Sequence, residues 1–279
     1  MMRMDTIAIV GVGLIGGSIG KALISRRLAT RVIGVCRREE SLQRALACRV
    51  VTEGTTDLAH GVADAGIVIL CTPVETIIPL VRELSPLCAP QAIVTDTAST
   101  KAEIVHALCS ETLPRPFVGG HPLAGSEQTG PEAARDDLFV GRTVILTPNP
   151  SASEAVGRIE AFWQSLGATV LQMSPEHHDQ VVAAISHLPH LVASALAAAT
   201  PPPLVALAAG GWRDTTRVAA ADPQLWREIL LTNQTRVLES LARFQSGLDA
   251  LREALQAADA NQLEQLLTKG KQIRDALGD

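Results

Sequence analysis

The sequence predicts a two-part chain: a doubly wound α/β domain with a largely parallel sheet over residues 1–173, then an all-α helical domain over 174–279. Three observations carry this. Short β-branched and aliphatic runs alternate with helical stretches as far as residue 173. Strand signals stop after Pro175, and Ala/Leu-rich helical sequence takes over. The first apolar run also ends in a Gly-rich turn that opens a helix, the usual start of a doubly wound sheet.

Strands are expected at 6–10, 31–35, 67–71, 92–95, 117–119, 143–147 and 169–173. Most are continuous apolar runs, as strands buried on both faces require. Helices are expected between several of them, at 18–28, 76–84 and 153–166. In the second half, Pro201-Pro202-Pro203 and Gly210-Gly211 interrupt the helical pattern. Val237, Leu241, Phe244, Leu248, Leu251 and Leu255 then recur at alternating spacings of four and three, an a/d seam for packing against other helices. That seam closes either a bundle within the chain or a contact between two copies.

The 279 residues are 47% hydrophobic, so a sizeable core is available and disorder is not expected. A net charge of -5, with no run of one sign, argues against a nucleic-acid partner. Aromatics are 3% and Tyr is absent, so aliphatic side chains must fill the core. Cys36, Cys48, Cys71, Cys88 and Cys109 are odd in number and lack CxxC spacing, which favours buried thiols in a reducing compartment over disulfides or zinc. Met1-Met2-Arg3-Met4-Asp5 leaves no room for a signal peptide before the first strand. No apolar run reaches membrane-spanning length without a charge or a Pro. A cytoplasmic protein with no membrane partner is expected.

The turn Gly11-Val12-Gly13-Leu14-Ile15-Gly16 has the Rossmann-type dinucleotide spacing in its required context, after a strand and before a helix. Gly11 permits the tight turn, Gly13 lets backbone approach a pyrophosphate, and Gly16 lets the helix pack closely on the sheet. The helix N-terminus, with Leu14 and Ile15 in its first turn, offers amides to the phosphates. An acidic residue at the end of the second strand would accept the ribose 2′-hydroxyl, but Cys36 stands there, followed by Arg37 and Arg38. Two guanidiniums fit a 2′-phosphate, so NADP is expected in preference to NAD. Thr72, Pro73 and Val74, after the fourth strand, are expected beside the nicotinamide.

Two further clusters fall at strand ends: Thr95-Asp96-Thr97-Ala98-Ser99-Thr100-Lys101, and Gly119-Gly120-His121-Pro122-Leu123-Ala124-Gly125-Ser126-Glu127. Ligands of open α/β sheets collect at that edge, where a His is suited to take a proton during an oxidation. With Ser186-His187-Leu188-Pro189-His190 and Arg213-Asp214-Thr215-Thr216-Arg217-Val218-Ala219, these clusters make the chain resemble the prephenate/arogenate dehydrogenase family of tyrosine biosynthesis over nearly its whole length.

The resemblance implies oxidative decarboxylation of prephenate or arogenate with NADP or NAD. In it His121 is the base, Ser99 supports the reacting hydroxyl and His121, and Arg217 holds a substrate carboxylate. His187 and His190 line the pocket. His177, His178 and Asp179 also match the family but receive no chemistry here, and no metal is expected. A homodimer through the helical domain is expected. The end at Asp279 leaves no room for a fused regulatory domain, so a minimal two-domain form is expected. Three rivals remain. A 3-hydroxyacid dehydrogenase or imine reductase of similar layout would not need both the His121 and Arg217 clusters. A dinucleotide-sensing protein would not need a base, and a dimerising helical scaffold would need neither cluster nor turn.

Overall fold

In the computed structural model, residues 4–126, 128–148, 153–276 and 278 are described; Glu127 and the N-terminal Met1-Met2-Arg3 lie outside them. Among the described residues, eight strands form one sheet in the order β3-β2-β1-β4-β5-β6-β7-β8. The strands are β1 (Met4–Val10), β2 (Ala29–Val35), β3 (Glu53–Thr55), β4 (Ile67–Leu70), β5 (Ile93–Asp96), β6 (Phe117–Pro122), β7 (Thr143–Thr147) and β8 (Thr169–Gln172). The first six run parallel, β7 runs antiparallel to β6, and β8 is parallel to β7. This is the expected doubly wound domain, with one reversal the sequence pattern did not specify.

Alternation along β1 explains the layering. Ile7 and Ile9 point into one core with Ile19 and Leu23 of α1 (Leu14–Ser25) and Phe162 and Trp163 of α6 (Ser153–Ser165). Ala8 and Val10 point into a second core with Ile77 and Val81 of α4 (Val74–Leu84) and Ile104 and Val105 of α5 (Ala102–Cys109). Covering both faces is what a parallel sheet needs, and fully burying one such side chain contributes about 1.5–3 kcal/mol.

Several expectations need correction. The first helix starts at Leu14, not residue 18. Gly16, Gly17 and Gly20 depress its intrinsic propensity, but close packing compensates: a Cβ on Gly20 would lie 1.9 Å from the Val50 carbonyl oxygen. Strand β6 runs on to Pro122 and so includes His121. Gly210-Gly211 opens a helix, α9 (Gly210–Thr216), rather than interrupting one. The interruption at the prolines is a 3₁₀ segment, Pro202–Leu207. The thiols are not uniformly buried: Cys36 and Cys88 are, Cys48 and Cys71 are half-buried, and Cys109 is exposed.

Beyond β8, α7 (Pro175–Val182) begins at a Ser174 cap, whose Oγ accepts from the His177 amide at 3.2 Å. It continues through a π-helical turn, Ala183–His187, into α8 (Leu188–Ala199). Pro189 accounts for the turn, because it lacks an N–H and would clash with the Ile185 carbonyl in a regular helix. By length and composition alone, 175–199 could cross a membrane; it nevertheless buries His178, Asp179, His187 and His190 within its own unit. The capped helix α10 (Pro223–Thr232) follows α9.

Contacts divide the chain into Met1–Asn233 and Gln234–Asp279. The second unit is α11 (Gln234–Gln256) and α12 (Ala260–Asp275), which pack together. The whole expected seam lies on α11, with Val237 buried but Leu248 49% and Leu255 63% exposed.

Candidate active site

The strand register sets the site. Val10 pairs with Leu70 and Leu70 with Asp96, so β1, β4 and β5 end at one level, while β6 carries His121 beyond it. The loops leaving this edge are knitted together: the Gly11 amide donates to Val35 O at 2.9 Å, the Cys71 amide to Val10 O at 2.7 Å and the Thr97 amide to Leu70 O at 3.0 Å.

At the Gly-rich turn, Gly11 has φ +91°, and a Cβ there would lie 2.8 Å from the Cys71 carbonyl oxygen. A Cβ on Gly16 would lie 2.2 Å from the Gly11 oxygen and 2.9 Å from Ile9 Cγ2. Gly13 differs: nothing lies within 4 Å of its Cβ position, so its backbone faces open space at the start of α1. The first turn of α1, where Leu14 and Ile15 lie, carries no acidic residue to repel an anion. A dinucleotide pyrophosphate fits these features. Beside the turn, Cys36 is buried and Arg37 and Arg38 are exposed. Thr72 and Pro73 lead directly into α4, which begins at Val74.

Around His121 the residues come together more closely than the sequence alone indicated. His121 is 8% exposed, and its Nδ1 lies 2.8 Å from Nε2 of His178. His178 Nδ1 in turn lies 2.7 Å from Asp179 Oδ1. The Asp179 carboxylate caps α5 from outside that helix, accepting from the Lys101 amide at 2.8 Å and the Ala102 amide at 2.9 Å. Two of the helix's orphan donors are thus met by a negative charge at its positive end. The fully buried Lys101 ammonium is ion-paired with Asp96, whose carboxylate also accepts from the Gly120 and Ala98 amides, each at 3.0 Å.

Burial first, then the neighbouring His178, Lys101 and His187, hold the His121 imidazole well below the usual histidine range. Burial likewise lowers His178, against the opposing pull of Asp179. His187 is lowered, chiefly by burial, to about 4. These rings are therefore neutral near pH 7.

Of the expected pocket residues, His187 is buried and accepts from Asn233 Nδ2 at 3.2 Å. His190 stacks on Trp226 at 3.6 Å, with the rings 6° apart. Ser99 is half-buried in the β5–α5 loop and makes no hydrogen bond to His121 among the described residues. Arg217 is exposed where α9 ends. No group of three or more His, Cys, Asp or Glu able to hold a metal occurs among the described residues.

Sequence reasoning named His178, Asp179 and Lys101 without giving them chemistry, and passed over Asn233. The available signal was Ser174-Pro175, a helix start, followed at once by four titratable side chains, Glu176, His177, His178 and Asp179.

Comparison with known proteins agrees along the chain. The family described as prephenate dehydrogenase, nucleotide-binding domain, matches residues 19–172, and the prephenate dehydrogenase dimerization domain matches 174–269. Prephenate dehydrogenase of Bacillus subtilis is 36% identical over 98% of this chain and 76% of its own length. The crystal structure of Aquifex aeolicus prephenate dehydrogenase in complex with hydroxyphenyl propionate and NAD+ superposes with a TM-score of 0.90 at 33% identity, covering 99% of both chains. Synechocystis arogenate dehydrogenase does so at 0.80 and 34%, over 98% of this chain and 99% of that one.

Proposed function

This chain belongs to the prephenate dehydrogenase family, and from that premise we propose how its own residues carry out the family's reaction. It is an NAD(P)-dependent oxidoreductase of tyrosine biosynthesis acting on a cyclohexadienol of the prephenate/arogenate class. The observation that carries the assignment of roles is His121. It is buried, held neutral and fixed through Nδ1, and it stands past the strand ends where the Gly-rich turn opens.

When bound, the dinucleotide supplies the two-electron acceptor. Gly11, Gly13 and Gly16, with the first-turn residues Leu14 and Ile15, seat its pyrophosphate on the N-terminus of α1. Thr72, Pro73 and Val74 flank the nicotinamide. Arg37 and Arg38 meet a 2′-phosphate, which makes NADP the preferred cofactor and NAD the weaker one.

His121 takes the substrate's hydroxyl proton at Nε2 as the ring carbon is oxidised. The ring carboxylate leaves as carbon dioxide and its bonding pair completes the aromatic ring. His121 then returns the proton to the phenol oxygen. Ser99 orients the hydroxyl, Arg217 anchors a carboxylate as a charge-assisted pair, and His187 and His190 wall the pocket. The protein works as a cytoplasmic homodimer assembled through its C-terminal helices. Incubation with prephenate and arogenate, each with NAD and NADP, tests this by nicotinamide absorbance. Reduction with either substrate, faster with NADP, is expected. No reduction in any of the four mixtures would overturn the assignment.

A further inference from the structure

We propose that His178 and Asp179 are positioning residues for His121: together the three side chains form a relay that selects the base's tautomer and shares the charge it acquires. The inference rests on the reading of His121 as the base.

The argument follows the hydrogen bonds from their fixed end. An ionised carboxylate only accepts, and Asp179 already accepts two backbone amides at the N-terminus of α5. His178 must therefore donate its Nδ1–H to Asp179 across 2.7 Å. In neutral His178 the other ring nitrogen, Nε2, is then an acceptor. Among the described residues the ring nitrogen it faces is His121 Nδ1 at 2.8 Å, so His121 carries its proton on Nδ1. Nε2 of His121 is left with its lone pair free for the substrate. Every link is imposed by the one before it, and the first is imposed by backbone.

The surroundings hold this order. Asn233 donates to the Asp179 carbonyl at 2.8 Å and to His187 Nδ1 at 3.2 Å, tying the start of the relay to the end of α10. On α5 and α7, His106 Nε2 lies 2.5 Å from Glu176, so the helix that carries His178 is clamped to the helix that Asp179 caps. The charged and titratable groups facing His121 are His178 and His187 from the 175–199 helix, and Lys101, paired with Asp96, from the β5–α5 segment. Lys101 and the two rings oppose a proton on His121. Asp179, reached through His178, is the negative group the relay brings to bear on it. Once Nε2 gains the substrate proton, Nδ1–H still donates to His178, and the positive charge is spread toward Asp179.

Nitrogen-15 spectra of the histidine rings, with His178→Leu, His178→Gln and His121→Asn, test the relay. Wild-type protein near pH 7 should show His121 protonated on Nδ1. His178→Leu removes the acceptor; it should leave His121 as a mixture of tautomers and lower kcat at least tenfold, while the dinucleotide Kd stays within about twofold. In His178→Gln the amide oxygen can replace Nε2 as acceptor but cannot pass charge to Asp179. It should restore the tautomer while recovering only part of the rate. The relay is overturned by wild-type His121 protonated on Nε2. It is also overturned if His178→Leu keeps kcat within twofold while His121→Asn is disabled, a result that leaves His121 as the base. Near-normal kcat in His121→Asn would instead overturn the base reading and the relay with it. If His178→Leu does not fold, the wild-type spectrum and His178→Gln still decide the matter.

Discussion

Replacing Lys101 with Met removes a fully buried ammonium while keeping most of its apolar stem. The partner, Asp96, is equally buried and would lose the cation it pairs with, retaining the amides of Ala98 and Gly120 at 3.0 Å. Breaking a buried pair from one side costs about 3–5 kcal/mol, because the remaining charge has no counter-ion. Set against a total stability of roughly 5–15 kcal/mol, that is a large loss. With an unfolding entropy of about 2.1 cal/mol/K per residue, the Met1–Asn233 unit that holds the pair should drop in Tm by roughly 6–10 °C. Asp96→Asn combined with Lys101→Met takes out both charges and should recover most of the loss, since a neutral replacement of both partners is often close to neutral overall. Urea unfolding of the two single variants and the double, read by circular dichroism, completes the cycle. A Lys101→Met loss below about 1 kcal/mol, or a double variant no better than the single, would refute the reasoning. The two charges would then be solvated despite their burial.

The pH dependence follows from His121, whose folded-state pKa is depressed by burial, His178, Lys101 and His187. Its neutral form is therefore favoured, so kcat/KM should hold through neutrality and fall only on acidification below the ordinary histidine value of about 6.5. Stability should also decline as pH falls through that value, because the unfolded chain binds the proton first; an acid limb centred above pH 7 would contradict this. Arg217→Ala should raise KM tenfold or more with little change in Tm, and Arg217→Lys should rescue it only partly; a loss of Tm with unchanged KM would make Arg217 structural. Cys36→Asp with Arg37→Ser should move kcat/KM toward NAD by about tenfold, near 1.4 kcal/mol, and raised salt should shrink the wild-type preference for NADP. Equal or better wild-type kcat/KM with NAD at low salt would remove the two arginines from cofactor choice. Light scattering should give a dimer at micromolar concentration, given the exposed Leu248 and Leu255 of α11; a fully active monomer would exclude the proposed assembly.

Much of this is legible in the sequence. A Gly-rich turn between an apolar strand and a helix has few physical uses, and Gly11, Gly13 and Gly16 each have the surroundings the motif requires. His121 stood out because small residues flank it, and those residues allow β6 to run beside β5: a Cβ on Gly120 would lie 2.9 Å from the Asp96 oxygen. Other features left no trace in local sequence. Strand β3 is three half-buried residues at the sheet edge, too short for a periodic signal. The reversal of β7 escaped notice because apolar alternation carries no direction. His178 lies 57 residues from His121 in the chain, and the pairing of Asp179 with the N-terminus of α5 spans 77. Such contacts belong to the fold and not to any window of sequence. Lys101 closes the strand-end cluster 95–101 with no local sign of what it pairs with, and only its burial marks it as the partner of Asp96.

The π-helical turn at Ala183–His187 has a consequence for how the 175–199 helix tolerates insertion and deletion. A π turn holds one residue more than the α turn it replaces, and each residue in a helix advances the azimuth by about 100°. The residue pattern of the second half of this helix is thus offset by one position from that of the first. The first half aims His178 and Asp179 at His121 and α5, while the second aims His187 and His190 at Asn233 and Trp226. Removing one residue from the turn, such as the 62% exposed Ile185, would cost almost no buried surface and would let a regular hydrogen-bond ladder form. Because the π turn and the α turn that would replace it each complete one revolution, the helix downstream would keep its azimuth, with His190 still facing Trp226. The wider turn is a slack link: it stores one residue inside a continuous rod without turning the rod's far half, so the histidines on either side hold their directions while the count of residues between them can change.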